Sequence, residues 1–290
     1  MEKKRKITPG DIVVLIFCCI LILVCLLPLL NILARSLSSA DALVKNKVTL
    51  IPVGLNLDAY RMVLGDSKYT NSMLWTALLT VICTVLSMLM TVICAYPLTY
   101  DQLKGRGIFN GLIIFTMYFN AGVIPNYLLY KDLGLLDHPL VLILPNCLSV
   151  FNMIIMRSFL YGIPNSLREA AEIDGAGPIR TLFRIYLPLS APVVATLSLF
   201  YAVGRWNGYQ DALMYMVNAK AYHPIQLHLY NILQNISGIE VATQEGFTTP
   251  GLSETLKAAT VMFATVPILL VYPWLQRYFI TGVTIGAVKE

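Results

Sequence analysis

The sequence predicts an all-α, polytopic membrane protein of six transmembrane helices with both termini in the cytoplasm. Three observations carry that prediction. The 290 residues are 57% hydrophobic and 13% charged, whereas an ordinary soluble domain is roughly 25% charged. The mean hydropathy is +0.69. The apolar residues lie in runs of the length a bilayer-crossing helix needs, about 20 residues. This composition argues against a soluble enzyme, a disordered regulator or a nucleic-acid-binding protein. The net charge of +5 sits beside the apolar runs, where membrane topology accounts for it.

Six runs qualify, and they make residues 1–290 a single transmembrane domain. The first is Ile12–Leu30, behind Lys3-Lys4-Arg5-Lys6. Its apolar core is longer than a signal peptide's, so it reads as a retained anchor. Met73–Tyr96, Ile108–Tyr130 and Pro139–Met156 come next, then Leu189–Val217 and Ala258–Gln276. All but Leu189–Val217 lack a charged side chain. Backbone polar groups cannot go unpaired in lipid, so each run is expected to be helical. The six cysteines (Cys18, Cys19, Cys25, Cys83, Cys94, Cys147) fall inside these runs and read as small hydrophobes.

Orientation follows from lysine and arginine counts near the span ends. With the N-terminus inside, the inner segments hold twelve: Lys3, Lys4, Arg5, Lys6, Lys104, Arg106, Arg157, Arg168, Arg180, Arg184, Arg277 and Lys289. The outer segments hold eight: Arg35, Lys45, Lys47, Arg61, Lys68, Lys131, Lys220 and Lys257. Two long connections then stand out as places for function, an inner one at 157–188 and an outer one at 218–257.

The inner connection carries the sharpest signal. Ser166 and Glu169 have capping-box spacing behind Pro164, which predicts a short helix from Leu167 to about Asp174. Gly175 and Gly177 stop it, and Pro178 prevents its continuation. Leu167, Ala170 and Ala171 share one small, smooth face suited to a groove of another protein.

Glu169-Ala170-Ala171, three residues, Gly175, nine residues and Ile185-x-Leu187-Pro188 resemble the EAA loop of ABC importer permeases at every fixed position. Gly134-Leu-Leu-Asp137, Trp206-Asn207 and the tail Gly282–Lys289 resemble the carbohydrate branch of that family. The whole chain is similar to the shorter six-helix subunit of maltose-type importers. Met117–Pro125 makes it most similar to the subgroup handling complex oligosaccharides, such as plant or algal polysaccharide fragments. The resemblance implies the type I importer permease fold in a bacterial cell membrane. It implies a second permease subunit, most simply a different chain, together with two P-loop ATPases and an extracytoplasmic solute-binding protein. ATP and Mg would bind the ATPases and none would bind this chain, which has no phosphate-binding loop. The coupling residues carried over are Ser166, Glu169, Ala170, Ala171, Asp174, Gly175, Ile185, Leu187 and Pro188. The resemblance also implies that the outer loop reaches the binding protein and that the tail 282–290 contacts the ATPases.

The fifth run is unusual in holding Arg205 and Asp211. Ionisable groups at membrane depth usually face a bundle interior or water. Two readings stand. In one, Tyr201, Trp206 and Tyr209 offer rings to sugar C–H surfaces, and Arg205, Asn207, Gln210 and Asp211 line a path with Asn120 and Asn152. In the other, these groups anchor at the interface and contact a subunit, with Arg205 snorkelling, while Asn120 and Asn152 bond between helices. On one continuous helix Arg205 and Asp211 do not share a face, whereas Asn207 and Asp211 do. Gly204-x-x-x-Gly208 is a close-packing signal. The three histidines, His138, His223 and His228, read as solvated loop residues, and Asn235-Ile-Ser237 as a chance sequon.

Competing functions remain distinct. An amino-acid or polyamine permease shares the EAA helix. A secondary transporter would want carboxylates near mid-membrane, and only Asp211 is available. A membrane enzyme would need a nucleophile–base set, and none is evident.

Overall fold

The computed structural model describes residues 9–234 and 250–287, and all regular structure among them is helical. The N-terminal basic cluster, the sequon at Asn235 and the outer-loop stretch 235–249 lie outside the described residues. So do the last three residues of the tail.

The first unit comprises residues up to Thr70 with Leu229–Val266. It opens with α1 (Pro9–Ser36), whose most apolar stretch has a mean hydropathy of 3.5 and is not buried. A helix apolar on every side fits a lipid surround. The short helices α2 (Ala40–Val44) and α3 (Asp58–Gly65) follow. The end of α1 is tied down by polar contacts. Ser36 Oγ and Tyr60 Oη share a hydrogen bond of 2.8 Å, and Arg35 pairs with Glu254. Ala59, Val63 and Ala259 form a small core there.

The second unit runs from Asn71 to His228 and resumes at Pro267. It contains most of α4 (Ser67–Ala95), then α5 (Arg106–Tyr118), α6 (Val123–Asp132), α7 (Leu140–Ile143) and α8 (Val150–Tyr161). Helices α9 (Asn165–Ile173), α10 (Pro178–Thr181), α11 (Leu187–Leu189), α12 (Ala191–Asn207) and α13 (Gln210–Tyr215) follow. The chain closes with α14 (Ile225–Gln234) and α15 (Pro250–Ala287). Its core joins Met88 and Val92 of α4, Met153 and Met156 of α8, and Val193 and Leu197 of α12.

Among the described residues, three helices are each long and apolar enough to cross a membrane: Pro9–Ser36, Ser67–Thr99 and Glu254–Val271. Three further candidates are bent pairs, where the sequence suggested unbroken runs. The run Ile108–Tyr130 breaks between α5 and α6 with a bend of 111°. Gly122 sits at φ 95°, ψ 173°, a conformation essentially reserved for glycine, and Asn120 Oδ1 accepts its N–H at 2.9 Å. The run Pro139–Met156 bends by 46°, with Pro145 before the bend and Ser149 capping α8. The run Leu189–Val217 stops as a helix at Asn207. Its start is bent by 84° from the preceding helical segment. Pro188 has no N–H to give to the preceding turn, and a π-helical turn at Leu182–Tyr186 absorbs the mismatch.

Parts of the two long connections are helical. Helix α8 continues through Arg157 to Tyr161, and α14 and the start of α15 take up much of the described part of 218–257.

Candidate functional site

Two places gather the expected site residues. The first is a cavity of about 630 Å³ among α4, the α7–α8 bend and the α12–α13 junction. That volume lies within the range of small-molecule sites, about 300–1,000 Å³. Asn152, Tyr201, Arg205, Asn207, Tyr209, Gln210 and Asp211 all line it. Asn120 does not, and its side chain instead accepts the Gly122 N–H at the α5–α6 break. Trp206 is buried outside the lining.

Arg205 organises this cavity. Its side chain is 6% exposed, so it does not snorkel. Nη1 donates to Leu142 O at 3.1 Å and Nη2 to Gly208 O at 3.2 Å. Nη2 also donates to Asp211 Oδ1 at 3.1 Å while Nη1 pairs with Oδ2. This fork-to-fork pairing corrects the expectation drawn from a continuous helix. Helix α12 ends at Asn207, Tyr209 leaves helical geometry, and α13 restarts at Gln210. The restart turns Asp211 back onto Arg205 and removes the helix face that Asn207 and Asp211 were expected to share.

Gly208 permits the approach. A Cβ there would lie 2.9 Å from Arg205 Nη2. Within this chain the glycine pair does not pack helix on helix, and at Gly204 a Cβ would meet nothing within 4 Å. Asn146 Nδ2 reaches Asp211 at 3.4 Å. Arg205 Nε is buried without a hydrogen-bond partner. Arg205 and Asp211 are the two oppositely charged side chains in the lining, and they neutralise each other.

Tyr201 is committed through its hydroxyl, which bonds Thr91 Oγ1 at 2.7 Å and accepts Ser149 N–H at 3.1 Å. Its ring still lines the cavity. Cys83, Ser87, Asn146, Ser149, Phe151 and Phe200 complete much of the wall and were not singled out from sequence. Asn146 and Ser149 carried the signal that had marked Asn152, a polar residue within an apolar run.

The second place is α9. It spans Asn165–Ile173, but Pro164 holds the N-cap position and no side chain caps it. Ser166 therefore lies one residue inside the helix, and the expected capping box does not form. The C-terminus behaves as its glycine requires. Gly175 has φ +74°, its N–H donates to Glu172 O at 3.0 Å, and Ala176 N–H donates to Ala171 O at 2.8 Å. This is the paired bonding of a Schellman motif. Gly177 is extended and starts α10.

The α9 faces are mixed. Ala171 is buried within this chain, so it is not part of an open face with Leu167 and Ala170. Ser166, Leu167, Glu169, Ala170 and Asp174 are exposed, and Ile173 is 86% exposed. Ile185 and Leu187 pack against the core of the second unit, and Pro188 is exposed at the bend. Arg168, not singled out from sequence, points inward onto Tyr100.

Asp137 clips its turn to the chain beyond α13, accepting Asn218 N–H at 2.7 Å, Asn218 Nδ2 at 2.8 Å and Ala219 N–H at 3.2 Å. Asn218's donors, its side chain first, hold the Asp137 carboxyl below its ordinary pKa. His228 is buried in α14, contrary to a solvated loop position, and its ring lies 5.8 Å from that of His223. No group of metal-ligating side chains occurs among the described residues.

Comparison with known proteins agrees with the motif. The family model described as binding-protein-dependent transport system inner membrane component matches residues 74–285. A polygalacturonan/rhamnogalacturonan transport system permease of Bacillus subtilis (strain 168) is 41% identical over 280 residues, covering 96% of this chain and 98% of that protein. An arabinooligosaccharides permease of Halalkalibacterium halodurans is 27% identical over 270 residues, covering 90% of each. A chain from a bacterial ABC transporter that imports the acidic polysaccharide alginate superposes with a TM-score of 0.86 at 33% identity, covering 95% of this chain and 100% of that one. A chain from an alginate transporter solved with its pentasaccharide-bound periplasmic protein shares the fold at a TM-score of 0.59 and 14% identity, covering 91% and 92%.

Proposed function

The chain belongs to the family of binding-protein-dependent transport system inner membrane components, and from that premise we propose that it forms half of the membrane path of an ATP-driven oligosaccharide importer. A second permease chain supplies the other half. An extracytoplasmic binding protein delivers the sugar, and two cytoplasmic P-loop ATPases hydrolyse ATP with Mg. This chain hydrolyses nothing itself.

The observation that carries the reading is α9. Its outward side offers Leu167, Glu169, Ala170 and Ile173, a mostly apolar face on a short helix that cannot span a bilayer. Such a face fits a groove of a protein partner, here the ATPase. Gly175 closes the helix tightly, and Ile185, Leu187 and Pro188 join it to the bend before α12.

The cavity supplies the solute chemistry. Aromatic faces at Tyr201, Tyr209, Phe151 and Phe200 suit sugar C–H surfaces, and Asn152, Asn207 and Gln210 suit hydroxyls. Relatives named for polygalacturonan/rhamnogalacturonan and arabinooligosaccharide transport support a sugar cargo.

The test is purification of the tagged chain with its native partners, followed by reconstitution in vesicles with the binding protein. Galacturonan fragments, arabino-oligosaccharides and amino acids are offered in turn. ATP-dependent uptake of one of the two sugar classes is expected. Uptake of amino acids alone, or uptake without an ATPase, overturns the reading.

A further inference from the structure

We infer that Arg168 is a positioning residue that links the coupling helix to two membrane-helix ends through an aromatic relay. The inference rests on the proposed coupling role of α9. Arg168 lies on the inward side of α9, beside the outward Glu169 and Ala170. Its side chain is 13% exposed, and its guanidinium carbon lies 4.4 Å from the Tyr100 ring centroid. Its ion pair with Glu172, at 3.9 Å, is long and more than half exposed on the glutamate side. The ring is therefore the stronger partner, since a largely desolvated cation over an aromatic face is held firmly.

Tyr100 passes the contact onward. Its hydroxyl and that of Tyr96 share a hydrogen bond of 2.7 Å, and the two rings meet edge to face at 5.3 Å and 88°. Tyr96 meets Tyr186 in the same manner at 5.2 Å and 68°. Tyr96 immediately follows α4, and Tyr186 ends the π-helical turn before Pro188 and the 84° bend. Tyr96 is 5% and Tyr186 1% exposed. A push on α9 is thus delivered to the end of one span and the bend of another through packed, oriented rings rather than through a loose loop.

The test measures sugar transported per ATP hydrolysed in the reconstituted complex, with ATPase co-purification as the assembly control. Arg168→Gln and Tyr100→Leu should each lower that ratio about tenfold while the ATPase still co-purifies. Their combination should be no worse than Tyr100→Leu alone, because that variant already removes the ring on which Arg168 rests, along with its bond to Tyr96. Arg168→Lys should retain most of the ratio, since an ammonium also engages the ring. A wild-type ratio in Arg168→Gln, or multiplying losses in the double variant, overturns the inference. If Arg168→Gln fails to assemble, Tyr100→Leu reads the same contact and a wild-type ratio there is equally decisive against it. Glu169→Lys separates the two levels. If it leaves ATPase binding and coupling intact, the coupling role of α9 itself fails. If it uncouples while Arg168→Gln does not, the relay alone fails.

Discussion

Arg205 is a charge that only its neighbours make tolerable. Removing one partner of a buried ion pair typically costs about 3–5 kcal/mol, because the other charge is left uncompensated. Asp211→Ala should therefore lower the detergent melting temperature sharply. Replacing both charges with apolar residues (Arg205→Met with Asp211→Leu) should restore much of the loss. Gly208→Ala should weaken the pair by displacing the guanidinium, and that effect should be smaller in the Asp211→Ala background. Asp137 makes a separate pH prediction. Its carboxyl titrates below its ordinary value because it accepts three N–H groups. The clip is then complete above the ordinary carboxylate pKa, near pH 4, and lost as pH falls through the lower folded-state value. Melting temperature should drop through that acidic window, and Asp137→Asn should remove this part of the pH slope.

Helix ends and helix breaks decide how the elements work. At Gly175 a Cβ would meet nothing within 4 Å, yet φ is +74°. The penalty for a side chain there is conformational, about 1–2 kcal/mol for an L residue in the left-handed region. Gly175→Ala and Gly175→Leu should destabilise the isolated subunit equally, and Gly175→Asn less. Coupling should fall further in Gly175→Leu than in Gly175→Ala, because only leucine crowds a partner covering the turn. Equal coupling in both would show that the turn is uncovered. The breaks at Gly122, at Gly208 and after Pro188 share one logic. Each places a residue that weakens the helix, glycine by its backbone freedom and proline by its missing N–H, at a point where side chains are redirected.

For the whole molecule, the charge distribution makes a topology prediction. With both termini inside, α9 is cytoplasmic and the Asp137–Asn218 clip is external. A cysteine at exposed Ser166 should resist an impermeant thiol reagent added outside intact cells and react after lysis. A cysteine at exposed Asn218 should react in intact cells. The reverse pattern would invert the assignment. The background must lack the six native cysteines, all of them free thiols.

Much of this was legible in the sequence. The membrane class follows from composition because lipid admits only apolar, internally bonded segments. The α9 motif follows from local chemistry, since a glycine-closed helix needs only its own residues, and the family followed from that motif. The cavity's polar residues were visible as polar letters in apolar runs. The Arg205–Asp211 pair was not, because six residues apart on an ideal helix they face apart. Only the break at Gly208 and Tyr209, stabilised by Asn146 and the Leu142 carbonyl from another part of the chain, turns them together. Arg168 was read as one more inner positive charge, and its place on Tyr100 depends on three segments meeting in space. The sequence by itself determined what is local, namely the apolar spans, helix stops and the motif's spacing. Tertiary structure decided which helices break and which charges find partners, because those outcomes depend on groups far apart in the chain desolvating one another.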